Sequence, residues 1–327
     1  MPRAARCLAR PRPPKPGRPA VQLVAREAIP PRPGGRPAPQ PKKGGLSSAA
    51  LAWGAVGLVI VVIAALVIVK ATSSSSTKNA AYTAVTAAPA SVVHDVTTIP
   101  ESVYNKVGIT SPTVQVSPPI VLKNQAPLSI DGKSPAMLYY GAEYCPYCAA
   151  ERWAMTAALS RFGTWSNLKI TASSHTDVDP ITHTFSYHGA TFTSPYLTFR
   201  GIEAFTNVPT ATYYTTLESP TAAEKSIISA GQRFIPGAQA NAVSFPFVNI
   251  GNVAIISGAS YDPGILSGQT WSQIAGGLSD PTNPATQAIV ATANYMSAAI
   301  CASTKNAPAS VCTSSGVQAA AKALKLS

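Results

Sequence analysis

The chain has 327 residues, which is enough for one or two domains, and only 12% of them are charged. The net charge of +12 is concentrated in residues 1–45, which hold eleven Lys and Arg and a single acid, Glu27. Because the rest of the chain is almost neutral, its composition argues against a nucleic-acid partner.

Residues 1–45 are rich in proline as well as arginine, with eight prolines between Pro2 and Pro31 and no apolar periodicity. Such a segment cannot bury a core, so it is predicted to be a disordered basic tail. A basic tail can contact anionic lipid headgroups or nucleic acid. The favoured interpretation is a solvated cytoplasmic tail that sets membrane topology, with Cys7 as a reduced thiol.

Residues 46–69 form an almost wholly apolar run, LSSAALAWGAVGLVIVVIAALVIV. At about 1.5 Å per residue, a helix of this length crosses a hydrocarbon core of about 30 Å. The run lacks a small-x-small cleavage site, which predicts an uncleaved signal anchor. Lys and Arg are more frequent before the run than after it, so the N-terminus is predicted to be cytoplasmic. The chain is therefore expected to be a single-pass cell-membrane protein that contacts the lipid bilayer through residues 46–69.

The small polar residues of 70–90 predict a flexible linker, and residues 91–327 are predicted to form an extracytoplasmic domain. Within 91–108, apolar residues at helical spacing predict short helices. Residues 118–122 and 128–130 are predicted to be strands.

The segment AMLYYGAEYCPYCAAERW carries the strongest chemical signal. Residues 137–140 predict a buried strand, Gly141 a turn, and the Cys145-Pro-Tyr-Cys148 sequence the start of an amphipathic helix. Pro146 suits the first helical turn, where a missing N–H costs nothing. Unpaired amides at that turn would stabilise a thiolate on Cys145. Cys148, one turn further on, is predicted to be the more buried, resolving thiol.

After this helix, which is expected to reach Phe162, residues 168–172 predict the next strand. Strand, helix and strand at this spacing predict a right-handed crossover between two parallel strands. Residues 173–240 are less regular and are interpreted as an insertion that covers one face of the sheet. The insertion is predicted to contain a hairpin or edge strand over 182–192, an extended segment over 196–203 and a helix over 222–229.

A second informative stretch is SFPFVNIGNVAII. It predicts strand 247–250, a turn at Gly251 and Asn252, and another strand up to Ile256. A cis peptide before Pro246 is compatible with this position but uncommon among X–Pro bonds. Helices are predicted over 262–278 and 285–302, with a last short helix after Cys312.

Taken together, YYGAEYCPYC, the strand after it and SFPFVNIGN resemble the thioredoxin superfamily over about residues 118–280. The resemblance implies an α/β thioredoxin-like fold with an inserted segment, in which the proline equivalent to Pro246 is cis and lies against the active disulfide. It also implies that Cys145 attacks, Cys148 resolves, and Phe245, Pro246 and Tyr147 contact the substrate. Over more of its length, including VHDVTTIPESVYNKVG and HTFSYHGATFTSPYLTF, the chain resembles an uncharacterised membrane-anchored thioredoxin-like family known only as a domain of unknown function.

The chain departs from thioredoxin itself in several ways. The gap from Cys148 to Pro246 is much longer, as in DsbA-type thiol oxidases with an inserted domain, yet the insertion is predicted to be partly β-rich. The CPYC sequence occurs in glutaredoxins, but an extracytoplasmic site argues against glutathione as the partner. Tyr144 takes the place of the tryptophan that precedes the first cysteine of thioredoxin. Glu143 is predicted to oppose a thiolate on Cys145, and Arg152 to offset that effect if it folds back.

Two alternatives for the dithiol come from the residues alone. A structural Cys145–Cys148 disulfide closes too small a loop to restrict the unfolded chain much. A zinc site would combine these cysteines with His183 and His188, or with His175, at tolerable spacing within each pair. However, 34 residues separate the pairs, and a cysteine at a helix N-terminus after a buried strand favours redox chemistry.

Cys301 and Cys312 are the remaining pair outside the membrane. In an oxidising compartment they are predicted to form a structural disulfide, which stabilises by about 2–3 kcal/mol in the entropic description. A relay that passes electrons to Cys145 and Cys148 is the alternative.

The predicted function is a membrane-anchored extracytoplasmic thiol–disulfide oxidoreductase. Its partners would be thiols and disulfides of exported proteins and, as a further possibility, a membrane redox protein. No cofactor or metal is expected, because the cysteines carry the chemistry. The alternative is a non-catalytic envelope binding module with a permanently closed disulfide. The sequence leaves open whether the dithiol oxidises, reduces or isomerises.

Overall fold

The structure is a computed structural model that describes residues 82–238 and 244–326. The predicted tail over 1–45, the predicted membrane anchor over 46–69 and most of the predicted linker lie outside the described residues. Within the described part of the chain, no helix is both long enough and apolar enough to span a membrane.

The described residues form a mixed α/β fold. Its helices are α1 (Ala90–Thr97), α2 (Glu101–Val107), α3 (Pro146–Ser160), α4 (Ala222–Gln232), α5 (Trp271–Gly277), α6 (Pro284–Ser303), α7 (Ala309–Cys312) and α8 (Ser315–Leu324), with a 3-10 turn at Pro263–Leu266. Its strands are β1 (Thr86–Ala87), β2 (Ile120–Val121), β3 (Ala136–Gly141), β4 (Thr164–Ser166), β5 (Lys169–Ala172), β6 (His183–Ser186), β7 (Thr191–Thr193), β8 (Thr198–Glu203), β9 (Phe205–Pro209), β10 (Tyr214–Thr216), β11 (Phe247–Ile250) and β12 (Ala254–Ser257).

A five-stranded sheet in the order β2-β12-β11-β3-β8 forms the centre of the fold. β3 and β8 are parallel, whereas β11 runs antiparallel to both β3 and β12. In this register Tyr139 lies opposite Val248 on one side and Gly201 on the other. Because β3 has a strand on each side and is covered on both faces, its sequence is a continuous apolar run rather than an alternating one.

The prediction that the strand over residues 168–172 is the parallel partner of β3 is wrong. Residues 168–172 do form a strand, β5, but it pairs antiparallel with β1 and β6 in a separate three-stranded sheet. The chain leaves α3 through β4, where Trp165 lies opposite Phe192 of β7, and so turns away from the central sheet. The parallel partner is β8, thirty residues further on in the sequence, and α4 then leads from β8 towards β11. A short apolar run predicts a strand but not the strand it pairs with.

Three other boundaries differ from the predictions. Residues 128–130 form no strand. Residues 182–192 form no hairpin, but the edge-strand alternative is confirmed, since β6 lies at the edge of the β1-β5-β6 sheet; β7 belongs to another sheet. The predicted helix over 262–278 divides into the 3-10 turn and α5. Gly268, with a φ of +73°, breaks it, and a capping box at Thr270 starts the second part.

Several predictions are confirmed. The segment before residue 108 forms the short helices α1 and α2. β11 and β12 form the predicted hairpin, and Gly251 and Asn252 in its turn both have positive φ. This is the combination that the central residues of a type I′ turn require, and the Val253 N–H closes that turn by donating to the Ile250 carbonyl at 2.8 Å.

Helix α3 carries the dithiol and is buried along almost all of its length. One side packs on β6 and the other on α6. Alanines dominate both α3 and α6, which allows close approach of the two helices. The sequence therefore places the dithiol at the N-terminus of a helix that is held from several sides.

Arg161, directly after α3, joins the helices on that side of the molecule. Its guanidinium donates to both carboxylate oxygens of Glu101 at 2.9 Å and lies 4.1 Å from the centre of the Tyr104 ring. It also donates to Asn294 and Ser297 of α6 and to Ser314, which precedes α8. One cation thus connects α2, α3, α6 and α8.

Candidate active site at Cys145 and Cys148

The structure holds Cys145 and Cys148 as two thiols at the start of α3. Cys145 is the N-cap residue, and its Sγ accepts a hydrogen bond from the Cys148 backbone N–H at 3.4 Å. Pro146 occupies the first helical turn, as predicted. The strand, turn and helix expected from the sequence are all present, and the backbone N–H of Cys148 in the first turn points at the sulfur that was predicted to attack.

The prediction that Cys148 is more buried than Cys145 is wrong, because both side chains are 0% exposed. Cys145 is covered from the side of β11, where its Sγ lies 3.9 Å from the Phe245 carbonyl oxygen. The chain segment that supplies Phe245 lies one hundred residues away in sequence. Local helix geometry alone therefore underestimates how much of Cys145 is covered.

The predicted substrate-contact residues lie beside the dithiol. The Phe245–Pro246 peptide is cis, and Pro246 is buried directly before β11. Tyr147, between the two cysteines in sequence, is half-buried on the first turn of α3. The structure thus brings together four of the residues that the resemblance assigned to the site: Cys145, Cys148, Phe245 and Pro246.

A cluster of aromatic rings, which the sequence did not predict, surrounds the start of α3. Tyr144 stacks on Tyr214 with ring centres 4.1 Å apart and contacts Tyr213 edge to face at 5.6 Å. Phe205 and Phe245 contact the same tyrosine at 6.3 and 6.5 Å. The tyrosine pair in TYYTT was the available sequence signal, but nothing in the sequence placed it against Tyr144.

Arg152 folds back towards the dithiol from the second turn of α3, and its side chain is fully buried. Its Nε donates to the Tyr139 hydroxyl at 3.1 Å and lies 3.1 Å from Glu203 Oε1. Its terminal nitrogen donates to the Ala142 carbonyl at 2.7 Å. The condition set for Arg152, that its side chain folds back, is met, and its direct ion-pair partner is Glu203.

Glu203 is a functional candidate that the sequence did not identify. It ends β8, is 0% exposed, and its Oε2 accepts a hydrogen bond from the Tyr139 hydroxyl at 3.4 Å. Burial raises the pKa of Glu203 to about 7, although the Arg152 charge opposes this shift. A carboxyl group poised near neutral pH can accept or release a proton.

Gly141 leaves room for two reactive groups to approach one another. A Cβ at this position would overlap the Tyr139 hydroxyl and would lie 2.9 Å from Cys148 Sγ. The hydroxyl and the sulfur therefore both lie on the side of Gly141 where a Cβ would project, and the hydroxyl also contacts Arg152 and Glu203.

The surroundings of Cys148 keep its thiol protonated. Burial raises the pKa of Cys148 well above its usual range, and the adjacent Cys145 raises it further. The Arg152 charge and a hydrogen bond from the Ala142 backbone act in the opposite direction. A thiol in this setting needs a proton acceptor when it reacts.

Glu143 is buried, and its main contact is on β6 rather than on the dithiol. Its Oε1 accepts a hydrogen bond from Ser186 Oγ at 2.6 Å. Burial raises the pKa of Glu143, while Ser186, Arg152 and other cationic neighbours lower it. Its charge in turn raises the pKa of Glu203. The structure therefore connects Glu143 to the carboxyl beneath the dithiol.

Glu151, on α3, is another fully buried carboxyl. Ser260 donates to it twice, from the backbone N–H at 2.8 Å and from Oγ at 2.9 Å. Burial raises the pKa of Glu151 to about 7 against these hydrogen bonds.

The histidines of the zinc alternative have partners elsewhere. His183 Nδ1 lies 2.7 Å from the Gln269 carbonyl oxygen, and His188 Nδ1 lies 2.9 Å from Glu218 Oε1. His175 Nε2 lies 3.1 Å from Thr83 Oγ1. Across residues 82–238 and 244–326, no three His, Cys, Asp or Glu side chains are grouped so that they could hold a metal ion.

Cys301 and Cys312, which the sequence predicted to pair, are joined by a disulfide with Cα atoms 5.6 Å apart. The bond links the last turn of α6 to α7. Ser303, two residues after Cys301, packs against Gly251. Gly251 directly follows β11, whereas Pro246, beside the dithiol, directly precedes it, so the length of the strand separates the two sites. A four-residue strand spans about 13 Å, whereas disulfide exchange requires direct contact between sulfurs. This placement favours the structural role over the relay.

Comparison with known protein families matches residues 120–302 to a domain of unknown function, DUF929. The match covers more than half of the 327 residues and includes the central sheet, both thiols and Pro246. Comparisons with curated proteins and with solved structures found no match. The chain therefore belongs to the DUF929 family.

Proposed function

We propose that this protein is an extracytoplasmic thiol–disulfide oxidoreductase, anchored by residues 46–69, that acts on thiols and disulfides of exported proteins. The observation that carries the proposal is the dithiol at the N-terminus of α3, with the Cys145 sulfur against the Phe245 carbonyl and beside Pro246. A helix N-terminus favours the thiolate that attacks a disulfide.

The strand arrangement supports a thioredoxin-like fold. Parallel β3 and β8 flank the dithiol helix in sequence, and the antiparallel hairpin β11–β12 follows the cis proline. A closing helical segment, α5 and α6, comes after the hairpin. The Cys301–Cys312 disulfide supports an oxidising compartment for this domain.

The reaction begins when the Cys145 thiolate attacks a substrate disulfide. A bond forms between Cys145 Sγ and one substrate sulfur, the substrate disulfide breaks, and the released substrate thiolate takes up a proton. Cys148 then attacks Cys145 Sγ, the Cys145–Cys148 disulfide forms, and the second substrate thiolate leaves. Two electrons pass from the dithiol to the substrate, and the reverse sequence oxidises a substrate dithiol.

The buried cluster beneath Cys148 accepts the proton that this thiol must lose. The Tyr139 hydroxyl and Cys148 Sγ both lie next to the position that a Gly141 Cβ would take, and the hydroxyl donates to Glu203 Oε2 while accepting from Arg152. As Cys148 attacks, its proton passes to the Tyr139 oxygen, and the Tyr139 proton passes to Glu203. The Arg152 charge stabilises the carboxylate between turnovers.

One observation favours a different function. The complete burial of Cys145 suits an envelope binding module whose cysteines take no part in exchange. The two functions differ in whether Cys145 ever forms a bond with another protein.

The test is a trapping experiment with the Cys148→Ser variant of the full chain, expressed in the native envelope. Without the resolving thiol, Cys145 should accumulate in mixed disulfides that non-reducing electrophoresis resolves and reductant removes. The matched control is Cys145→Ser/Cys148→Ser, which should trap nothing. If Cys148→Ser also traps nothing, the oxidoreductase function is wrong and the binding module remains.

Equilibration of the reduced full chain in glutathione buffers then gives the direction of electron flow. A dithiol with a reduction potential above about −200 mV would donate disulfides to its substrates. One with a potential of about −270 mV would reduce or isomerise substrate disulfides.

A further inference from the structure

We propose that the β9–β10 hairpin is a lid that must open before Cys145 can react. The proposal rests on the proposed function and adds a regulatory step to the same site. It begins from the fact that Cys145, the residue positioned to attack, is 0% exposed. A buried sulfur cannot meet a substrate disulfide, so some part of the covering structure must move.

The hairpin follows β8 immediately and packs against the residue that precedes Cys145. Its rings at Phe205, Tyr213 and Tyr214 all contact Tyr144, the residue directly before Cys145. Phe205 also lies 6.5 Å from the ring of Phe245, whose carbonyl contacts Cys145 Sγ. The aromatic rings thus connect the two chain segments on either side of the attacking sulfur.

The base of the hairpin is held firmly. Asn207, which is 1% exposed, donates to the Thr83 carbonyl at 2.7 Å, the Ala172 carbonyl at 2.9 Å and Thr171 Oγ1 at 3.1 Å. The Phe205 carbonyl accepts from the Glu143 N–H at 2.9 Å. These bonds attach the start of β9 to the β5 sheet and to the turn before Cys145.

The distal end is held by contacts that break more easily. Residues 210–212 are exposed, and the hydroxyls of the half-buried tyrosines beside them contact other side chains: the Tyr213 hydroxyl contacts the Tyr144 hydroxyl, and the Tyr214 hydroxyl donates to Ser174 Oγ. Each such hydrogen bond contributes little net free energy in water, and so does each ring contact. A hairpin with a fixed base and a weakly held end opens more readily than the core around it.

The test measures the rate at which iodoacetamide alkylates Cys145 in the reduced full chain, resolved by peptide mass spectrometry. In wild type the rate should be at least about tenfold below that of the urea-unfolded chain, since only open molecules react. The Tyr213→Phe/Tyr214→Phe variant keeps the rings but removes both hydroxyl contacts, so the rate should rise about tenfold. Tyr144→Phe, which removes one of the same contacts from the other side, should raise it by a smaller factor.

The matched control is Tyr196→Phe, a half-buried tyrosine outside the hairpin, which should leave the rate unchanged. An effect on access multiplies the rate equally at every pH, whereas an effect on thiol ionisation disappears at alkaline pH. The lid proposal would be overturned if the alkylation rate of Tyr213→Phe/Tyr214→Phe rose only at low pH. It would also be overturned if wild type, this variant and the unfolded chain reacted at equal rates. If Cys148→Ser traps no partner but alkylation of Cys145 is still faster in Tyr213→Phe/Tyr214→Phe than in wild type, the lid is supported and the oxidoreductase function is wrong.

Discussion

The two cysteine pairs of this domain lie in contrasting surroundings. Cys145 and Cys148 begin a helix as thiols, next to a tyrosine hydroxyl, an arginine and a carboxyl whose pKa is raised to about 7. Cys301 and Cys312 form a closed disulfide at the end of α6, in a segment with no acidic residue after Asp280 in the sequence. Groups that can supply or accept protons are concentrated around the first pair.

This difference indicates how one side chain serves two purposes. A sulfur that changes its bonding during a reaction needs nearby groups that handle charge and protons. A sulfur that only links two chain segments needs the correct distance and a packed environment. The comparison therefore predicts that exchange chemistry and stability depend on different cysteine pairs.

Loss of the attacking sulfur should have the largest effect. Cys145→Ser is expected to reduce disulfide exchange by at least about 1,000-fold, because the hydroxyl is a far weaker nucleophile than the thiolate. The measurement is reduction of a fluorophore-quenched disulfide peptide. Cys301→Ser/Cys312→Ser is the control and should retain exchange. If it loses exchange to the same extent, the two pairs act together, and Cys301 and Cys312 pass electrons to the dithiol.

The converse experiment tests stability. Cys301→Ser/Cys312→Ser is expected to lower the free energy of unfolding by about 2–3 kcal/mol, because the closed loop no longer restricts the unfolded chain. Urea unfolding of the purified chain, followed by tryptophan fluorescence, gives the value. Cys145→Ser should change it little. Equal losses in both variants would contradict the comparison.

The space beneath the dithiol should tolerate no added atom. Gly141→Ala is expected to cost about 2 kcal/mol and to slow exchange, because the new methyl group must displace the Tyr139 hydroxyl and Cys148. The control is Gly276→Ala in α5, where nothing lies within 4 Å of the new carbon. That variant should be neutral or slightly stabilising. A Gly141→Ala variant as stable as the control would show that the Tyr139 hydroxyl and Cys148 Sγ do not lie where the new methyl group must go.

A smaller effect should appear in the pH dependence of stability. The pKa of Glu151 is raised to about 7 by burial, so the folded state holds this proton more tightly than the unfolded state. The resulting stability is fully present below about pH 4.5 and is lost as the pH rises through about 7, a change of about 1–3 kcal/mol. Glu203 contributes a change of the same sign.

Glu151→Gln should remove part of that slope. The amide can still accept from the Ser260 N–H, so the variant should match wild type at pH 5 and exceed it at pH 7.5 in urea unfolding. Asp95→Asn on α1, where the carboxylate is 39% exposed, is the control and should keep the wild-type slope. A wild-type stability that rises from pH 5 to 7.5 would contradict the assignment.

Local features of the fold were predictable from the sequence. The strand and helix around Cys145, the hairpin after Pro246 and the short helices before residue 108 each follow from periodicity and turn residues within one segment. The position of Cys145 at the helix N-cap follows from the same local pattern. These features depend on residues that are neighbours in sequence.

Features that depend on long-range pairing could not be predicted. β5 and β8 are both short strands, KITA and TFRGIE, and nothing within either one identifies which pairs with β3. For the same reason the sequence did not identify Glu203, which contacts Tyr139 and Arg152 near the dithiol only because β8 lies beside β3. Nor did the sequence reveal the contact of Cys145 Sγ with the Phe245 carbonyl, which comes from a segment 100 residues away.

The Arg161 contacts have a mechanical consequence. One guanidinium braces four helices, and bending that side of the molecule would separate a buried cation from several partners at once. The end of α3 at Arg161 should therefore be stiff, whereas its other end follows Tyr144, which contacts the β9–β10 hairpin. Motion along this helix is then expected to be larger at the end that carries the attacking thiol.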